Sequence, residues 1–161
     1  MARSRFLPAL LGVVVVLALA GCSPVEPETD DVDAWITEAT DTADADPATL
    51  AFFAAPLARD TSFDDGDGIR ADFVSTEAVT AVELSCVGEG SMRFEITTGD
   101  DDSATSMTTD PLACAVSPHI LSPQEALGGT SGVTSMAVDA AESDRASAWA
   151  VVVRGDGAPG E

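Results

Sequence analysis

From residue 49 onward, apolar side chains recur at every second position in short runs separated by Gly, Pro, Ser and Asp. Period two is the signature of strands with one buried face. Ile69, Ala71 and Phe73 alternate with Arg70 and Asp72. Val82, Leu84 and Cys86 alternate with Ala81, Glu83 and Ser85. Beyond Gly88-Glu89-Gly90, Met92, Phe94 and Ile96 alternate with Arg93, Glu95 and Thr97, so this pair reads as a hairpin with one apolar and one polar face. Leu112, Cys114 and Val116 form a further inward set, Met136, Val138 and Ala140 another, and Trp149, Val151 and Val153 close the chain. With Thr49 to Ala58 as a first strand, about seven strands are expected, the count and spacing of a small antiparallel β-sandwich. The segment Ser122-Pro123-Gln124-Glu125 has the cap, the proline and the Glu that open a short helix reaching Leu127.

Residues 22–48 differ in kind. Between Ser23 and Ala48 lie Pro24, Pro27 and Pro47, nine acids and no basic residue, a composition expected to form an acidic, mostly disordered tether. Inside it Val32, Trp35, Ile36 and Ala39 fall on one helical face, with Asp31 available as an N-cap and Asp33 in the first turn. So short a helix is marginal in water without a partner. The expectation is that Trp35 and Ile36 pack on the chain's own domain or simply stay loose; the alternative is a linear motif for another protein's groove.

The start of the chain is an address. Arg3 and Arg5 precede an uncharged run from Phe6 to Ala20 rich in Leu, Val and Ala, the layout of a signal peptide. That run is shorter than the ~20 apolar residues of a spanning helix. It ends in Leu19-Ala20-Gly21-Cys22, which resembles the lipobox of bacterial lipoproteins. The resemblance implies cleavage before Cys22, a diacylglyceryl group on its thiol and palmitate-type acylation, hence a stable anchor on the extracytoplasmic face of the cell membrane. Arg3 and Arg5 are separated by Ser4, so the general secretory route is expected. The resulting division is a signal peptide at 1–21, an anchor and linker at 22–48, a sandwich domain at 49–156 and a tail at 157–161.

Charge narrows the partners. The 161 residues carry 28 acids against seven basic groups, a net −21; removal of Arg3 and Arg5 leaves five against 28, or −23. Such a polyanion repels nucleic acid and anionic headgroups, leaving the lipid as the membrane contact and an envelope protein as the expected partner. All the basic residues are Arg, and Lys, Asn and Tyr are absent, a bias of GC-rich coding that inflates the acidic clusters.

Three cysteines less Cys22 leave Cys86 and Cys114, both in the inward phase and in an exported chain, so a disulfide between them is expected. Other chemistry is sparse. Asp64, Asp65 and Asp67 beside Gly66 and Gly68 suggest calcium, but in the EF-hand register Phe63, Arg70 and Val74 stand at positions 1, 8 and 12. They remain weak metal candidates, with Asp100, Asp101 and Asp102 as further oxygen donors. His119, in Ser117-Pro118-His119-Ile120, has no nucleophile motif to serve and reads as a rim residue. Gly128-Gly129-Thr130-Ser131-Gly132 lacks the Lys of a phosphate loop. Trp149 shares the phase of Val151 and Val153 and reads as core, not as a sugar platform; Arg145 with Asp144 and Glu142 reads as a solvated turn.

The lipobox, acidic tether, cysteine strand, second cysteine followed by Pro-His and closing Ala-Trp-Ala-Val-Val-Val strand together resemble small uncharacterised actinobacterial lipoproteins. The resemblance implies a lipid-anchored sandwich and supplies no activity. The expected function is therefore a binding or envelope-interaction module, not an enzyme and with no cofactor. The alternative is a calcium- or carbohydrate-binding sandwich.

Overall fold

A computed structural model describes residues 29–65, 68–99, 103–127 and 133–156. The lipobox with Cys22, Asp67, Asp100 to Asp102 and the Gly128 to Gly132 run lie outside the described residues. The elements are α1 (Thr29–Ala45), β1 (Thr49–Leu57), β2 (Ile69–Glu77), β3 (Val79–Cys86), β4 (Ser91–Gly99), β5 (Ala104–Thr108), β6 (Leu112–Ala113), a 3-10 turn (Cys114–Val116), β7 (His119–Leu121), α2 (Pro123–Leu127), β8 (Val133–Ala141) and β9 (Ser147–Gly155).

The fold is all-β, as the alternation predicts. Two antiparallel sheets, β1-β9-β3-β7 and β2-β8-β4-β5, face each other, and β6 extends the β5 edge along β4. The inward sets meet between them: Phe53, Val82, Leu84, Val151 and Val153 from the first sheet, Met92, Phe94, Ile96, Met136 and Val138 from the second. Trp149 is only 3% exposed and stands edge-on to Phe94, with ring centroids 6.2 Å apart. It is a core residue, and the edge-to-face geometry suits the ring quadrupoles.

Three expectations are corrected. First, β3 and β4 do not form a hairpin, because they belong to different sheets. Their apolar faces look at each other across the core, an arrangement that alternation alone cannot distinguish from a hairpin, since either buries the same residues. Gly90 makes the crossing: its φ is +121°, and a Cβ there would strike Asp144 and come within 2.7 Å of Arg145 Nε. Second, the described residues form nine strands where about seven were expected. The additions are β5, a polar edge strand with mostly exposed side chains, and the three-residue β7; neither has a buried face long enough to write a pattern. Third, the Leu112 strand stops after two residues. Cys114 lies in the 3-10 turn, buried, while Val116 is 64% exposed instead of inward.

The segment expected as an extended linker is helical over Thr29–Ala45, so Asp31 lies inside the first turn and not at the cap. Val32 and Ala43 are buried, Trp35, Ile36, Ala39 and Thr40 half-buried, and the helix packs on β1 and β9. Six acids and several Thr are a poor prescription for an isolated helix, and its own last turn carries no basic residue. Tertiary contact supplies what propensity lacks. The α2 prediction holds: Ser122 and Glu125 form a reciprocal capping box, with Ser122 N–H and Oγ–H donating to Glu125 Oε2 at 2.9 and 2.6 Å. Those bonds hold the Glu125 carboxyl below its ordinary value.

Candidate functional site

The outer face of the first sheet is where helix, strands and charge converge. Cross-strand register sets its rows: Phe52, Val152, Glu83 and Ile120 lie side by side across β1, β9, β3 and β7, and Ala54, Ala150 and Ser85 form the row beside them. Small residues under α1 explain its close approach. Ala148 and Ala150 are buried although they point away from the sandwich core, which is why β9 is buried on both faces.

α1 packs chiefly on β1 and β9. Over β3 and β7 the face is open: Ile120 is 65% exposed, and a groove of about 290 Å³ runs between Trp35, Glu38 and Thr42 of the helix and Ser85 and Pro118 on the other side, floored by Ala150 and Val152. Pro118 follows a cis peptide bond.

Arg154 organises one end of this groove. Its Nε and Nη2 donate to Glu83 Oε1 and Oε2, each at 3.1 Å, and its Nη1 donates to Asp46 Oδ2 at 2.6 Å and to Thr49 Oγ1 at 3.0 Å. One guanidinium thus joins β3, β9, the start of β1 and the end of α1 through a planar fork that Lys could not reproduce. The hydrogen bonds to Glu83 hold it protonated above its already high ordinary value, against an opposing contribution from partial burial. Asp46 also accepts from Ala48 N–H at 2.9 Å, turning the chain from helix into strand. Sequence reading missed this network. Arg154 and Glu83 sit in the outward phase of their strands, but nothing in the sequence pairs β3 with β9.

Cys86 and Cys114 are bonded, with Cα atoms 4.9 Å apart. The bond ties the end of β3 to the turn that leaves β6, so it crosses from one sheet to the other beside Gly90, whose carbonyl accepts from Cys114 N–H at 2.9 Å. Ser117 Oγ accepts from Cys86 N–H at 3.0 Å in the same corner. His119 is a rim residue: Nε2 lies 2.9 Å from the Ala113 carbonyl, which only accepts, so this nitrogen donates and clasps β6 to β7. Asp65 Oδ2 accepts from Ser62 Oγ at 2.9 Å within a turn, and Asp64 is exposed beside it. Among the described residues, no three His, Cys, Asp or Glu side chains are grouped to hold a metal ion.

The Arg145 turn is solvated at Glu142 and Asp144, which are 52% and 54% exposed, but not at the arginine. Its side chain is 13% exposed, with Nε 3.6 Å from Asp144 Oδ1. Around it Ser91 N–H donates to Asp144 Oδ1 at 3.1 Å, Arg59 Nε to the Asp144 carbonyl at 3.0 Å and Arg93 Nη1 to Glu142 Oε2 at 3.0 Å. Two arginines from other parts of the chain, Arg59 and Arg93, would have marked it as a strut only if their spatial proximity were known.

Among the described residues, no helix is long and apolar enough to cross a membrane. No protein-family model matches the chain, and no curated protein sequence matches it either.

Proposed function

We propose that the protein is a lipid-anchored extracytoplasmic binding module, held to the membrane through Cys22 and presenting the open half of the first sheet's outer face to an envelope protein. The observation that carries the binding role is the apolar strip beside α1. A well-packed sandwich with a built-on helix leaves Ile120 65% exposed next to a groove floored by Ala150 and Val152, and an apolar-floored groove is the form in which amphipathic helices dock. The anchoring role rests on the basic start, the apolar run and Leu19-Ala20-Gly21-Cys22.

Two experiments test the two halves. Crosslinking in intact cells, followed by pull-down of the protein under denaturing conditions, should recover an envelope protein joined through β3, β7 or α1; an absence of any crosslinked protein refutes the module. Cys22→Ala should release the chain or leave its precursor uncleaved, and unchanged lipid-modified protein would refute the anchor.

A further inference from the structure

The strip beside α1 has the dimensions and the charge of a seat for one more helix. The first sheet is four strands wide, and neighbouring strands lie ~4.8 Å apart. α1 packs on two of them, β1 and β9. The remaining two, β3 and β7, offer ~10 Å of width, which matches the diameter of a helix with its side chains. α1 shows that this same face accepts a helix where small residues floor it, as Ala148 and Ala150 do. On the open half Ser85 and Ala81 are also small, so a helix can approach β3 closely, while Ile120 and Trp35 supply an apolar ridge on either side of its path.

Charge selects the occupant. The groove is lined by Glu38 and Glu83, and Asp46 closes its end; the one basic side chain among its described lining residues, Arg154, already bonds Glu83 and Asp46. The site is net negative on a chain of net −21. A second copy would bring the same charge to the interface, and the chain's own Ser23 to Glu28 stretch carries Glu26 and Glu28; both are repelled. A positively charged partner is instead drawn in, and like-charged competitors are rejected.

The geometry points to a cationic amphipathic helix of a partner protein lying beside α1, its apolar stripe on Ile120, Val152 and Trp35 and its Lys or Arg side chains toward Glu38, the carboxylate of the groove that Arg154 does not bond. This inference rests on the binding-module reading and names the chemistry of the partner. Apolar contact with Ile120 and Val152 fixes the position, and the carboxylates speed encounter and orient the helix.

The test uses the complete chain from residue 22 to residue 161 with Cys22→Ser, so that neither acyl groups nor detergent compete. The probe is a synthetic peptide of about five helical turns with Leu at i, i+3, i+4 and i+7 and Lys elsewhere. Its control is a scrambled peptide of the same composition with no apolar stripe. Amide NMR shifts on titration should cluster at Trp35, Ser85, Ile120 and Val152. Ile120→Asp should weaken binding at least tenfold with an unchanged melting temperature, because the side chain is exposed. Glu38→Lys should slow association and reduce its salt dependence. Equal affinity for the scrambled peptide, or shifts spread over the acidic surfaces, overturns the inference by showing charge attraction alone. Shifts of the strip on concentrating the protein without peptide overturn it in favour of a second copy. In intact cells, a partner crosslinked only through the second sheet leaves the module standing and removes this site, whereas recovery of no partner removes the module itself.

Discussion

The Cys86–Cys114 bond closes 28 residues of chain, and its contribution can be worked from that number. The loop-entropy relation assigns a closure of this length about 3.6 kcal/mol at 25 °C, felt in the unfolded state. For a domain of roughly 130 residues, with an unfolding entropy near 2.1 cal/mol/K per residue, that corresponds to a melting shift of roughly 13 °C. The perturbation should be reduction, not substitution, because both sulfurs are buried and replacing them with Ala adds a packing loss of separate origin. Thermal and urea unfolding of the oxidised and reduced chain, followed by circular dichroism, should show the lower midpoint for the reduced form. Its urea slope should also be steeper, since the released loop exposes more surface on unfolding. A loss below about 1 kcal/mol would refute the reasoning and show that the unfolded chain keeps the segment from β4 to β6 compact without the bond. A full-sized loss with no change in slope would place the effect in the native state instead.

Three further predictions concern other parts of the fold. Gly90→Ala combines a left-handed φ with collision against Asp144 and Arg145, so calorimetry should register a loss of about 2–4 kcal/mol, against about 1 kcal/mol for Gly88→Ala, where φ is +88° but the space is open. Arg154→Met keeps the stem and leaves the half-buried Glu83 without its partner; a loss of about 1–2 kcal/mol is expected after discounting for solvent access, with faster amide exchange at Ala43 to Asp46 than elsewhere in the sheet. The capping box predicts a pH dependence: the folded Glu125 pKa is depressed from its ordinary 4.5, so its stabilisation of α2 is present above that value and lost as the pH falls through the folded one. An NMR titration should find the depressed value in the native chain and its return to the ordinary range in Ser122→Ala; an unchanged titration would remove the box.

Alternation by itself determined the fold class, most of the strands and the core. Leu84, Phe94, Met136, Val151 and Trp149 had to be buried because a two-residue period leaves one face for water and one for packing. The expectation of export, with a buried phase, likewise pointed to Cys86 and Cys114, and local capping rules were sufficient for Ser122 and Glu125, whose partners lie within three residues. The acidic stretch was harder: its composition argued for an extended tether, and only the faint apolar stripe through Val32, Trp35 and Ala39 hinted at the helix that the sheet stabilises.

What the tertiary structure alone decided are the relations between distant segments. Burial pattern records that a face is covered, not by what, so the pair read as a hairpin at Gly88 to Gly90 became a crossing between sheets. For the same reason Arg154, Glu83 and Asp46 were ordinary outward residues until β9 settled beside β3 and α1 ended above them. The open strip between α1 and Ile120 exists only as a sum of registers, set by which strands pair and how far one helix reaches across them. Long-range pairing is governed by the joint packing of the whole core, and no single segment carries it.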